Sequence, residues 1–333
     1  MDGSGEREQV DGACVTVHRV EFSIEWPPWT VAAYLIPGDE PILVDAGVPG
    51  ETGEAELVDG LADHGYAPDD LAHLLLTHPH SDHLGQVPAL REAGVTVYAA
   101  RQTLDRLRRD EAALETGVRE TARAVGLDED TAEAQVDRAL DSLRRNRRLL
   151  PPDEVDIGFA FGESVDVGSR SVTPLHTPGH QADHAAFALT LGDERVLFSG
   201  DVLVEPFRSA ALNVGLDRGA DDAVREYYRA YDALDGRPFD RVYPGHGPVF
   251  DTFDEVLDAS RERLDEMVAD VFEAVPENEA ASAVAVTEAR GKRLDPPAAL
   301  LDTIGALGYL ATSGRIVVDV TDGVRRYRRS GRD

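Results

Sequence analysis

The stretch Thr77-His78-Pro79-His80-Ser81-Asp82-His83 constrains this chain more than any other. Three imidazoles and a carboxylate fall within six residues. The apolar run Leu74-Leu75-Leu76 before it reads as a buried strand. Leu84-Gly85-Gln86-Val87-Pro88-Ala89-Leu90 after it reads as a turn entering a helix. A strand end fixes the backbone, and the turn folds successive side chains toward one point, as a metal site requires. Residues two apart on an extended segment point the same way, so His78 and His80 can share one ion. Asp82 and His83, past the turn, point to a second position beside the first. Imidazole and carboxylate suit zinc, iron or manganese, and with Cys14 as the single cysteine no thiolate cluster competes.

Such a site needs further ligands downstream. Candidates stand in Thr177-Pro178-Gly179-His180, Phe198-Ser199-Gly200-Asp201 and Tyr243-Pro244-Gly245-His246-Gly247. Each closes a strand-like run beside a glycine that permits a tight turn. With Leu43-Val44-Asp45-Ala46-Gly47, these motifs resemble the metallo-β-lactamase superfamily, in the family's order, over roughly residues 12–252. The resemblance implies an α/β fold, the αββα sandwich. Carried over by position, it makes His78, His80 and His180 ligands of a first metal ion. Asp82, His83 and His246 become ligands of a second, with Asp201 bridging the two. Asp45 takes a supporting role. The implied cofactors are two divalent ions, zinc first, with manganese or iron as alternatives.

The chemistry implied by the resemblance is hydrolysis by a metal-bridging hydroxide, with Asp82 and Asp201 as the catalytic carboxylates. His83 together with Asp201 is similar to the glyoxalase II and RNase Z side of the superfamily. Residues 202–208 lack the glycine- and cysteine-containing stretch of glyoxalase II-like enzymes, so glutathione is not the expected carrier. A small ester, thioester or lactone is the first expectation, and a phosphodiester or RNA the alternative. Iron-dependent persulfide dioxygenase chemistry is a third reading, against which the full set of seven ligands speaks.

The chain length accommodates one large domain and a small one. The expected division is a flexible N-terminal segment 1–12, a metallo-β-lactamase-fold domain 13–252 with a helical insertion 101–150, and a C-terminal module 253–333. Strands are expected over 14–20, 30–36 and 42–44. Glu25-Trp26-Pro27-Pro28-Trp29 holds both tryptophans, read either as an apolar wall for substrate or as a cap on the sandwich or a dimer contact. In 101–150 apolar residues recur at helical spacing and Gly126 separates two helices. This hairpin is either a lid over a substrate pocket or an arm for a homodimer. Its run Arg144-Arg145-Asn146-Arg147-Arg148 either meets an anionic substrate or pairs with nearby acids.

After residue 253 helices give way to two strand-like runs around Thr321-Asp322-Gly323, a hairpin signal. That order suggests a winged-helix-like module. Arg325, Arg326, Arg328, Arg329 and Arg332 make its end locally basic, either for RNA or as a charged exposed strand.

Acids outnumber bases by 63 to 33, a net charge of -30, and the excess is spread along the chain. This disfavours generic nucleic-acid binding. It fits a surface for molar salt, where the Debye length falls to about 3 Å and self-repulsion is suppressed. No apolar run of about 18 residues could span a bilayer. The acidic, glycine-rich start is unlike a secretory signal. A cytoplasmic protein of a halophile acting on a small molecule is therefore expected. Dialysis from molar KCl into dilute buffer should cost it structure, read by far-ultraviolet circular dichroism; an unchanged spectrum would refute the halophilic reading.

Overall fold

A computed structural model describes residues 16–330. The expected N-terminal segment 1–12, Cys14 and Arg332 lie outside the described residues. Two mixed sheets face each other. The first runs in the order β1 (His18–Ser23), β2 (Thr30–Ile36), β3 (Ile42–Val44), β4 (His73–Leu75), β5 (Thr96–Ala100), β6 (Ile157–Phe159). β1 to β3 are antiparallel, and β3 to β6 pair in parallel. The second sheet holds β7 (Val165–Val167), β8 (Arg170–His176), β9 (Ala185–Leu191), β10 (Glu194–Gly200) and β11 (Arg241–Pro244), with β11 parallel to β10.

The continuous apolar strands follow from burial on both faces. Along β2, Ala32, Tyr34 and Ile36 join the core between the sheets, while Val31, Ala33 and Leu35 pack outward under the helical layer. Leu75 faces inward, and Leu74 and Leu76 outward. A strand covered on both sides loses polar alternation, because neither face meets water. Aromatic rings fill the inner layer: Tyr34 meets Tyr243 edge-on at 5.2 Å, and Phe187 meets Phe159 at 5.6 Å.

The helices α1 (Glu51–Ala62), α2 (Ser81–Leu84) and α3 (Val87–Glu92) connect the first sheet. The insertion forms three helices rather than the expected two: α4 (Arg101–Leu107), α5 (Glu111–Val125) and α6 (Glu129–Leu149). Its breaks are capped locally. Asp110 accepts the N–H of Ala113 at 2.9 Å, Asp128 accepts that of Thr131 at 2.8 Å, and Gly126 ends α5 at φ 93°. The extra break at residues 108–110 carries no glycine or proline; it is marked only by the N-cap aspartate. In the arginine run, Arg144 pairs with Glu111 at 2.7 Å, and Arg147 donates to the carbonyl of Leu107 at 2.6 Å. Those two arginines bind α6 to the start of α5.

α7 (Ala223–Leu234) follows, then α8 (Phe253–Ala274), α9 (Ala283–Ala289), α10 (Ala298–Thr312), and the hairpin β12 (Ile316–Thr321) and β13 (Val324–Arg329). Asp322 and Gly323, both at positive φ, make the hairpin turn. Leu264, Ile304 and Tyr327 belong to the same continuous hydrophobic cluster as the outer layer of the sandwich. Among the described residues no helix is long and apolar enough to cross a membrane.

Phe187 is fully buried between the sheets. Phe187→Ala should cost about 3–5 kcal/mol through lost transfer energy and the cavity left behind; denaturant unfolding in molar KCl measures it.

Candidate metal centre

Strand ends from both sheets meet at one edge of the sandwich. β4 leads into Thr77–His83, β8 into His180, β10 into Asp201 and β11 into His246. His78, His80, His180 and Asp201 bring one ligand atom each within 4.8 Å of one another, and so do Asp82, His83 and His246. The two groups share a neighbour in Asp201. Its Oδ2 lies 3.3 Å from His180 Nε2 and 3.4 Å from His246 Nε2, and its Oδ1 lies 3.5 Å from His83 Nε2. All seven residues singled out in the sequence as ligands are thus brought together.

The outer nitrogens of four imidazoles are anchored. His83 Nδ1 donates to Asp45 Oδ2 at 2.8 Å, His180 Nδ1 to the carbonyl of Ala210 at 3.0 Å, and His246 Nδ1 to the carbonyl of Thr30 at 2.8 Å. His78 Nδ1 donates to Thr77 Oγ1 at 3.0 Å, and that hydroxyl donates to Asp45 Oδ2 at 2.8 Å. Asp45 also accepts the backbone N–H of Thr77 at 2.8 Å. Partners of this kind fix ring orientation and tautomer. Asp45 therefore serves both groups, from a left-handed backbone conformation at φ 61°.

These tautomers test the fit to a metal. With their outer nitrogens protonated, His78 and His180 present bare Nε2 lone pairs toward His80 Nδ1, at 2.9 and 3.0 Å. Three ring nitrogens thus converge on one point, at a spacing close to the roughly 3.3 Å between ligand atoms of a tetrahedral zinc site. In the second group His83 Nε2 is buried without a hydrogen-bond partner, as is Asp201 Oδ1. A buried donor set of imidazole and carboxylate fits two divalent ions.

The electrostatics agree. Burial, reinforced by neighbouring imidazoles, pushes His78 and His80 well below the usual histidine range. Burial would also lower His83, but Asp201 and Asp45 outweigh it and hold it up at about 9. His246 is likewise raised against its burial, to about 11, by Asp201 and Asp82. Burial would raise Asp201, yet His246, His83 and His180 hold it well below the carboxylate range.

Several residues outside the ligand set complete the site. His184 is buried and neutral, lowered to about 3 by burial, then by His180. Its Nε2 accepts the backbone N–H of Asp201 at 3.0 Å, and its Nδ1 donates to Thr177 Oγ1 at 2.7 Å. It orients Asp201 from behind. The Gln181 carboxamide contacts His80 Nε2 and Arg106, and Asn146 Nδ2 of α6 donates to the carbonyl of Pro79 at 2.5 Å. Proximity to His180 could have flagged Gln181; nothing local marks Arg106 or Asn146. Trp26 and Trp29 are 51% and 60% exposed on a loop running into Thr30, the carbonyl partner of His246. Neither lines the cavity beside His80.

Residues 26–246 match the metallo-beta-lactamase superfamily. The chain belongs to that superfamily. It is 31% identical over 133 residues to a beta-lactamase-like protein 2 homolog of Caenorhabditis elegans, 40% of each chain. It is 33% identical over 134 residues to a hydroxyacylglutathione hydrolase of Cereibacter sphaeroides, 40% of this chain and 34% of that one. The matches thus span less than half of those two relatives. A metallo-beta-lactamase family protein from Thermus thermophilus superposes with a TM-score of 0.74 at 23% identity, covering 94% of this chain and 98% of the other. A beta-lactamase domain protein from Burkholderia ambifaria gives 0.72 at 19%, covering 96% and 95%. The likeness of fold to these two structures covers nearly the whole chain.

Because His83 and His246 are protonated at pH 7 without metal, loading zinc should release protons, and apparent affinity should rise with pH from 7 toward 9. Calorimetry in buffers of differing ionisation heat reads the protons released; release of none would contradict this assignment. A Cβ on Gly245 would sit 2.5 Å from Asp201 Oδ1 and 2.7 Å from His83 Cε1. Gly245→Ala should therefore lower bound metal, measured by elemental analysis, more than it lowers the melting temperature.

Proposed function

We propose that this chain is a binuclear metal-dependent hydrolase of a small ester, thioester or lactone. His78, His80 and His180 would hold the first ion, Asp82, His83 and His246 the second, with Asp201 in reach of both groups. Zinc is the first choice, and manganese or iron suits the same donors. Two such ions would supply Lewis acidity and a water of lowered pKa.

The observation carrying this reading is the shared carboxylate of Asp201, whose two oxygens face imidazole nitrogens of both groups. Asp201 and the five imidazoles fix where the reacting groups stand. Asp82 has a side chain 13% exposed, against 4% for Asp201, so it is the carboxylate that meets incoming water and orients it. His184 and Asp45 hold the ligands in place. Attack on a carbonyl rather than a phosphorus is supported by a largely apolar cavity opening at His80. The partial likeness to a hydroxyacylglutathione hydrolase points the same way.

Phosphodiester cleavage is the second reading. The observation favouring it is the basic strand β13, where Arg326 and Arg328 form no ion pair among the described residues while Arg325 and Arg329 pair with Asp221 and Glu273. We read residues 253–333 as a winged-helix-like module. Its three helices precede a hairpin, and a bridge between Ala281 and Tyr327 extends that hairpin.

Zinc- or manganese-loaded protein in molar KCl should turn over acyl thioesters, esters and lactones but not phosphodiesters or short RNA. Turnover of the second panel alone would replace this reading with the nuclease. Asp201→Asn should lose metal and activity together; full retention of both would remove the bridge.

A further inference from the structure

The cavity beside His80 holds about 650 Å³, well within the size of small-molecule sites. Leu114 and Val118 of α5, Ala139 and Leu143 of α6, and Leu216 and Leu301 line it. No phenyl, phenol or indole ring lines it among the described residues. The helical insertion thus supplies the roof of a pocket whose floor is the metal loop at Pro79 and His80.

Three arginines reach the walls, and each already has an acid beside it; the pairs of Arg106 and Arg109 are made with buried acids, that of Arg138 with an exposed one. Arg106 pairs with Asp183 at 2.9 Å, Arg109 pairs with Asp217, and Arg138 pairs with Asp295 at 2.8 Å. Asp183 and Asp217 are buried, so these partners cannot swing out to solvent. Asp105 adds a fourth acid. Asp105 and Asp183 line the cavity beside the three arginines, and Asp217 and Asp295 pair with Arg109 and Arg138 from outside the lining. A phosphate or carboxylate entering past the exposed Arg138 would be desolvated beside Arg106 and Arg109, which their buried acids already neutralise. A methylene chain loses nothing there.

We propose that this cavity receives an uncharged aliphatic acyl chain, with the substrate's carbonyl at the His80 end. The substrate class is then a medium- or long-chain acyl ester, thioester or lactone whose acyl part carries no charge. This rests on the carbonyl-hydrolysis reading above and narrows it.

Two measurements on the zinc-loaded protein in molar KCl test it. The first is kcat/KM along acetyl, butanoyl and octanoyl p-nitrophenyl esters, with an octanoyl ester bearing a terminal carboxylate as the charged control. A fully buried methylene is worth about fourfold. The rise from acetyl to octanoyl should reach at least about 100-fold, and the terminal carboxylate should abolish most of it. A flat profile across turned-over esters overturns the acyl-chain proposal and leaves carbonyl hydrolysis standing. Turnover of phosphodiesters alone overturns the underlying reading. The second is independent of catalysis: calorimetric titration with 1-octanol, expected to show binding with a negative heat-capacity change. Ala139→Trp and Ser142→Trp, both half-buried positions on the cavity side of α6, should weaken it at least about tenfold while melting cooperatively. Failure of octanol to bind the folded protein overturns the proposal whatever the esters do.

Discussion

Asp201 faces the Nε2 atoms of His78, His83, His180 and His246 at 3.3–3.9 Å and is 3% exposed. A carboxylate that deep costs several kcal/mol unless positive charge or hydrogen bonds compensate it. Here the compensation comes from loops of both sheets at once: β4 and α2 on one side, β8 and β11 on the other. The two halves of the sandwich must therefore keep their registration for the charge to be tolerated. That need accounts for the density of rings between the sheets next to the centre, where Phe198 stacks on Tyr243 at 4.9 Å.

The centre is as rigid as its outer hydrogen bonds. The imidazoles are tied to distant parts of the chain: His246 to Thr30, His180 to Ala210, His83 to Asp45. Asp45 connects to Thr77, which connects to His78, so one carboxylate steadies both groups. Such partners act before any ion arrives, and they lower the cost of organising the site around one.

The insertion shows how a shared architecture and a particular pocket can be separated. The sandwich and its strand ends suffice for the metal centre. The insertion adds a wall that meets it through Asn146 of α6 at the Pro79 carbonyl and through Arg106 of α4 at Gln181. Arg106 and Arg109 are each matched by a buried acid beside this wall, even though the chain as a whole carries an excess of acid. Surface acids are solvated and screened, whereas Asp183 and Asp217 are buried and must be matched by arginine.

The metal loop, its downstream partners and the bounds of β2 and β3 were legible in the sequence, whereas the first strand, expected over 14–20, runs His18–Ser23. Ligand chemistry demands particular side chains, strand ends and glycines at short spacing, and these leave local marks. The period-two split of β2 between two cores was also implicit in its unbroken apolarity. What residue order could not carry was the company each residue keeps across the fold. The third helix of the insertion hangs on the Asp110 cap. The arginines of α6 turn out to bind Glu111 and a carbonyl, and His184 stands behind Asp201. The acids that pair with Arg106, Arg109 and Arg138 stand from 77 to 157 residues away along the chain. The sequence by itself determined the fold family and the donor set, because both are written in short motifs. Only the tertiary structure decided which charges around the pocket are cancelled, because ion pairing depends on distances between segments that the order of residues does not encode.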